Sequence, residues 1–186
     1  MVQKDRLAAE LAAVEAVFDK PLAMKGMILQ LNIPFLSTIL DKVLFLHIER
    51  HPFYTIQSLL ESRIKFFGDR SRWYSVKPPE YDWLKDLDPI QQVCGQVYFT
   101  VKRINKGLDQ LDPSRKLSIR YEQFCADPKS VFEEIVAKLA EQGLQLPGEY
   151  VGPSRFSHTN QVRLPEEECR RVLDAYHHFS GEILSL

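Results

Sequence analysis

The sequence predicts an α/β fold in which parallel strands are flanked by helices. Two short apolar runs, residues 43–48 and 116–121, have the length and the β-branched content of buried strands. Each run is followed by a segment whose apolar residues recur at helical spacing. Strands that alternate with helices in this way build parallel sheets, so we expect an α/β architecture with parallel strands.

The remaining elements follow from prolines, capping residues and apolar spacing. Asp88-Pro89 and Asp127-Pro128 each combine a good N-cap with a proline suited to the first helical turn, and Gly143 ends the second of these helices. In chain order we predict a helix at 4–19, a strand end at 22–24, a short helix at 34–41, a strand at 43–49, a helix to about 67, a loop at 68–87, a helix at 89–108, a strand at 116–121, a helix from 128, an irregular segment at 147–164 and a helix from 165. The predicted buried stripe of the helix before residue 68 consists of Ile56, Leu59, Leu60, Ile64 and Phe67.

Composition limits the classes of protein that fit. The chain has 186 residues, 45% of them hydrophobic, which suits a single domain spanning residues 1–186. A formal net charge of −1 gives no electrostatic basis for a nucleic acid partner. No apolar run approaches the roughly 20 residues that a membrane span needs, and no signal peptide is recognisable. Three widely separated cysteines, with no metal-binding spacing, favour a reducing compartment and a cytoplasmic location.

Arg50 stands where a buried strand ends and a helix is about to begin. That edge of an open α/β sheet is where ligands bind, and a helix start offers free N–H groups to an anion. Arg50 adds a planar fork of donors that suits phosphate, and Ser58, eight positions later, adds a hydroxyl. The alternative is an arginine with a structural role, for example paired with Glu122, and a serine on the helix surface.

Three segments in order resemble the sulfotransferases that use 3′-phosphoadenosine 5′-phosphosulfate (PAPS). The strand, Arg50, Pro52 and the helix with Ser58 resemble that family's 3′-phosphate-binding motif. Residues 118–128, which read Ser-Ile-Arg-Tyr-Glu-Gln-Phe-Cys-Ala-Asp-Pro, resemble its Arg-Tyr-Glu-Asp-Leu segment and the Asp-Pro that follows. Residues 21–26, with Lys25, resemble the lysine segment before the 3′-phosphate strand. The resemblance covers about residues 20–180 and is nearest to the bacterial-type group.

The resemblance implies a P-loop-like parallel sheet and transfer of a sulfuryl group from PAPS to a hydroxyl or amine. The acceptor would be a small molecule, a carbohydrate or a lipid, and no metal would take part. The residues that it implies are Arg50 and Ser58 at the 3′-phosphate, Tyr121 near the adenine, Lys25 at the sulfuryl oxygens, and Arg163 or Arg155 in a late basic segment.

The chain also departs from the family pattern. The family's N-terminal loop, whose backbone amides hold the 5′-phosphosulfate, has no counterpart, because residues 1–20 read as a helix without glycine. We therefore expect a fold truncated at its N-terminus, equivalent to the C-terminal two-thirds of the family fold, with little activity alone. No catalytic base can be assigned. The alternative is a non-catalytic domain that binds a 3′-phosphoadenosine nucleotide or a protein partner, and in either case self-association is expected.

Overall fold

The computed structural model describes residues 3–27, 29–146 and 148–186. Its two strands are β1 (Phe45–Glu49) and β2 (Lys116–Arg120). The helices are α1 (Lys4–Phe18), α2 (Ile33–Ser37), α3 (Pro52–Phe67), α4 (Tyr81–Leu84), α5 (Pro89–Leu108), α6 (Tyr121–Ala126), α7 (Pro128–Glu141) and α8 (Glu166–Ser180), with short 3-10 helices at Leu29–Asn32 and Pro113–Arg115. None of these helices is long and apolar enough to cross a membrane.

The two strands pair in parallel, which confirms the predicted α/β class. The prediction that the first strand is buried is wrong, because Leu46 and Ile48 of β1 are exposed. Phe45 lies opposite Lys116 at one end of the ladder and Glu49 opposite Arg120 at the other. Within the described residues the sheet has these two strands. The carboxyl ends of parallel strands meet at one edge, so the residues that follow Glu49 and Arg120 are brought together there.

The main core lies between α3, α5 and α8. Phe53, Ile56 and Leu60 from α3 pack with apolar side chains of the other two helices, among them Val93 and Val172. The predicted stripe of α3 is offset by one position in its second half. Its buried residues are Phe53, Ile56, Gln57, Leu60 and Arg63, whereas Ile64 is 46% exposed.

A polar network explains how Arg63 comes to be buried. Its Nη1 donates to Gln92 Oε1 at 2.7 Å and to the carbonyl of Arg70 at 2.9 Å, and its guanidinium lies 5.1 Å from the centroid of the Trp73 ring. Burial lowers the pKa of Arg63 to about 10, although Asp69 acts in the opposite direction. Nε and Nη2 of Arg63 are buried without a hydrogen-bond partner among the described residues, so these contacts offset only part of the cost of burial. Apolar periodicity does not register such a residue, because its partners are distant in the sequence.

The same network fixes the predicted loop at residues 68–87. Gln92 donates to the carbonyls of Lys85 and Leu87, and Gln96 donates to those of Tyr74 and Val76. These bonds are 2.7–2.9 Å long, and both glutamines are buried in α5. The long loop is therefore tied to the core along its length, and it contains the short helix α4.

Three further elements differ from the predictions. The short helix predicted at 34–41 spans Ile33–Ser37. Residues 22–24 lie in neither a helix nor a strand, so the predicted strand end is wrong. The helix α6, Tyr121–Ala126, was not predicted, because six residues between a strand and the Asp127 cap are too few to show a period. The Asp88 and Asp127 caps are confirmed: each carboxylate accepts a hydrogen bond from a backbone N–H of the helix that it begins.

Candidate functional site

An open pocket of about 800 Å³ lies where the two parallel strands end. Glu49 and Arg120, the last residues of β1 and β2, line it together with Arg50. Tyr54 from α3 and Glu122 from α6 contribute two more of its walls. This is the edge at which open α/β sheets bind ligands.

The local sequence explains the position of Arg50. β1 ends at Glu49, and Pro52 occupies the first turn of α3, where the missing proline N–H costs nothing. Arg50 and His51 therefore form a short connection between the end of the strand and the start of the helix. Arg50 is half-buried beside the positive end of the α3 dipole, a setting that favours an anion.

The guanidinium of Arg50 is held by a late segment of the chain. Its Nε donates to Asn160 Oδ1 at 2.8 Å, and its Nη2 donates to the carbonyl and hydroxyl oxygens of Thr159 at 3.2 and 3.3 Å. The ring centroid of Tyr121 lies 5.0 Å from the guanidinium carbon, and that of Tyr54 lies 5.8 Å away. Asn160 also donates from Nδ2 to Glu122, so Glu122 reaches Arg50 through this amide and not by a direct ion pair.

Tyr121 is tied to the same segment. Its hydroxyl oxygen accepts the backbone N–H of Thr159 at 3.3 Å and lies 3.4 Å from the Thr159 hydroxyl. Arg50 and Tyr121, which the sequence singled out separately, are thus adjacent in the structure. Thr159 and Asn160 were not predicted as site residues, and the only signal for them was the polar, irregular character of residues 147–164.

We call residues 159–164 the strap. Gln57, fully buried in α3, anchors it with three hydrogen bonds. Its Nε2 donates to the carbonyl of Gln161 at 2.9 Å, and its Oε1 accepts the backbone N–H groups of Arg163 at 2.6 Å and Leu164 at 3.2 Å. The strap is therefore attached to α3 at one end and to Arg50 and Tyr121 at the other.

The side chain of Arg163 is committed to the surface of α3. Its Nε and Nη2 donate to the two carboxylate oxygens of Glu61 at 2.7 and 2.6 Å. The hydrogen bonds from Arg163 lower the pKa of Glu61, and the same bonds raise the pKa of Arg163. Neither Arg163 nor the exposed Arg155 lines the pocket.

Ser58 and Lys25 also lie outside the pocket lining. Ser58 is half-buried one helical turn beyond Tyr54, on the same face of α3, so it is near the site without contributing to its wall. Lys25 is exposed in the connection between α1 and α2. Of the five residues predicted to bind or to act, the structure brings together Arg50 and Tyr121, of which Arg50 lines the pocket and Tyr121 does not. The roles of all five stay predictions.

The side chains that line the pocket are balanced in charge. Glu49 and Glu122 offset Arg50 and Arg120 when His51 is neutral. His47, on the sheet face that carries Phe45, is largely buried, and burial lowers its pKa although Glu49 acts in the opposite direction. No cluster of potential metal ligands occurs in the part of the chain that the structure describes.

A family model described as the sulfotransferase family matches residues 16–144, more than half of the chain. The chain belongs to the sulfotransferase family. The matched range of this sulfotransferase-family chain contains Lys25, Arg50, Ser58 and Tyr121 and ends before the strap. Searches of curated proteins and of solved structures found no match.

Proposed function

We propose that this sulfotransferase-family chain binds PAPS in the Arg50 pocket and is part of an enzyme that transfers the sulfuryl group to an acceptor hydroxyl or amine. The observation that carries the proposal is the adjacency of Arg50 and Tyr121 at the carboxyl edge of a parallel sheet, 5.0 Å apart from guanidinium carbon to ring centroid. Family membership supplies the reaction class. We also propose that the sheet is the remnant of a P-loop-like core.

The pocket suits the 3′-phosphate half of the nucleotide. Nε and Nη2 of Arg50 bond to the strap, but Nη1 makes no hydrogen bond to any described residue. An uncommitted guanidinium edge, the start of α3 and the nearby Arg120 together favour a dianionic group. The resemblance places Tyr121 near the adenine, whereas the tyrosine that lines the pocket itself is Tyr54. Because Asn160 bonds to Nε and not to Nη1, a phosphate can bind Nη1 of Arg50 without displacing Asn160.

The phosphosulfate half has fewer partners. Lys25 does not line the pocket. Among the described residues that do, Arg50 and Arg120 are the only arginine or lysine side chains. Sulfuryl transfer needs donors aimed at the transferring oxygens and at the leaving phosphate. PAPS supplies the sulfuryl group when bound, whereas this chain's own residues hold and orient the nucleotide. We propose a small-molecule, carbohydrate or lipid acceptor and, from the three free cysteines, a cytoplasmic location.

The charge balance of the pocket favours a second candidate. Two carboxylates beside Arg50, Glu49 and Glu122, weaken attraction to a dianion. A non-catalytic domain that binds the nucleotide, or a protein partner, fits these features as well. Acceptor sulfation separates the enzyme from such a domain, whereas nucleotide binding is common to the enzyme and to the nucleotide-binding form.

Isothermal titration calorimetry with adenosine 3′,5′-bisphosphate and with AMP tests the nucleotide site. The two ligands differ by the 3′-phosphate, and one charge-assisted hydrogen bond is worth about 1.5–3 kcal/mol. We expect the bisphosphate to bind at least about tenfold more tightly. Equal affinities, or no heat with either ligand in a sample shown to be folded by circular dichroism, would refute the assignment of Arg50 to the 3′-phosphate.

A further inference from the structure

We propose that Gln57 is a positioning residue for the nucleotide: it fixes the strap, and the strap orients Arg50 toward the 3′-phosphate. This inference rests on the proposed nucleotide site. Gln57 does not line the pocket and touches no ligand in this scheme. Its effect passes through Thr159 and Asn160, which lie outside the range that matches the family model.

The first step is the anchoring of the strap. Both ends of the Gln57 amide are used, Oε1 by the N–H groups of Arg163 and Leu164 and Nε2 by the carbonyl of Gln161. These backbone groups have no helix or strand to pair with, because the strap has neither. Removing the Gln57 amide leaves them without partners beside the core, which favours a strap that moves toward water.

The second step is the orientation of the guanidinium. Asn160 fixes the Nε edge of Arg50, and Thr159 fixes one Nη2 donor. The rings of Tyr54 and Tyr121 lie near the guanidinium, and the hydroxyl of Tyr121 is bonded to Thr159. A guanidinium that is fixed before the ligand arrives loses less conformational entropy on binding. A displaced strap therefore weakens binding of the 3′-phosphate specifically.

The third step separates this role from stability alone. Gln96 is a matched residue: it is a buried glutamine, it donates from Nε2 to two loop carbonyls, and it fixes residues 74–76 instead of the strap. Gln57→Leu and Gln96→Leu each remove the hydrogen bonds of a buried amide to loop backbone, three from Gln57 and two from Gln96. If Gln57 acts only on stability, the two variants will change nucleotide binding alike.

The experiment measures affinity for adenosine 3′,5′-bisphosphate and for AMP in the wild-type chain and in both variants. We expect Gln57→Leu to reduce the preference for the bisphosphate by about tenfold, the loss of about one charge-assisted hydrogen bond, and Gln96→Leu to leave it unchanged. Hydrogen exchange of the amides of Arg163 and Leu164 should accelerate in Gln57→Leu alone. An unchanged preference in Gln57→Leu, or an equal loss in both variants, overturns the inference. A stronger preference in Gln57→Leu also overturns it, because it would mean that the strap competes with the phosphate for Arg50.

Asn160→Ala keeps the proposal testable if Gln57→Leu does not fold. Asn160 belongs to the half-buried end of the strap, so its truncation removes the acceptor for Arg50 Nε without opening the core. The same loss of preference is expected, and an unchanged preference would contradict the orienting step. A wild-type chain with no preference at all would instead refute the proposed nucleotide site, which keeps the two failures distinguishable.

Discussion

Replacing Arg50 tests the proposed 3′-phosphate site, because the number of its free N–H donors sets the loss of affinity that we expect. The guanidinium has five N–H donors, of which Nε and part of Nη2 are bonded to the strap. The two N–H donors of Nη1 are uncommitted to described residues and are available to a phosphate. Two charge-assisted bonds at the low end of their range give about 3 kcal/mol, or roughly a hundredfold in affinity. We expect Arg50→Ala to lose about that factor for adenosine 3′,5′-bisphosphate and almost nothing for AMP.

Arg50→Lys serves as the graded control, measured by calorimetry beside the alanine variant. It keeps the charge but loses the planar fork, so we expect it to recover part of the affinity and no more. Asn160 and Thr159 lose a donor in Arg50→Ala beside an open pocket, and we expect the free energy of unfolding to change by less than about 1 kcal/mol. If Arg50→Ala weakens both nucleotides by the same factor, or neither, the assignment of Arg50 to the 3′-phosphate is refuted.

Three further predictions concern catalysis, electrostatics and association. The chain alone should show little or no sulfation of a broad acceptor panel with PAPS, because Lys25 lies outside the pocket, and robust turnover would contradict this. Glu61→Gln should lower the free energy of unfolding at pH 7 by about 0.5 kcal/mol, since the pair with Arg163 is about 40% exposed. The folded-state pKa of Glu61 is lowered, so this contribution is present above its ordinary value of 4.5 and disappears as the pH falls through the folded value. Urea unfolding of the wild-type and Glu61→Gln chains, at pH 7 and at a pH below the folded-state pKa of Glu61, measures this contribution. A difference in the free energy of unfolding that persists at the lower pH would exclude this pair as its source. Leu46 and Ile48 are 46% and 48% exposed on the sheet, so light scattering should detect self-association that Ile48→Lys reduces. A monomer at every concentration would rule out association through this face.

Local signals predicted most of the fold. The Asp88 and Asp127 caps, each followed by proline, began helices where expected, and two short apolar runs became the parallel pair β1 and β2. Each of these signals acts over a few neighbouring residues, which is why it can be read from the chain. The offset in α3 arose because Arg63, a charged residue, occupies the buried stripe in place of Ile64.

The candidate site was predicted only in part, for a related reason. Arg50 and Tyr121 each follow a strand, so parallel pairing alone brings them to one edge. The strap residues Thr159 and Asn160 lie more than a hundred positions from Arg50, and no local pattern connects them. Gln57 was missed because a polar residue on a helix reads as solvent-facing until its backbone partners are known.

Nuclear magnetic resonance of the isotope-labelled chain tests the central claim most directly. Titration with adenosine 3′,5′-bisphosphate should shift the Nε–H signal of Arg50 and the backbone amides of Tyr121 and Thr159 first, because Arg50 lines the pocket and the other two residues contact its guanidinium. AMP should shift the Arg50 signal much less. Saturable shifts confined to another surface, or an Arg50 signal that responds equally to both nucleotides, would contradict a 3′-phosphate site at Arg50.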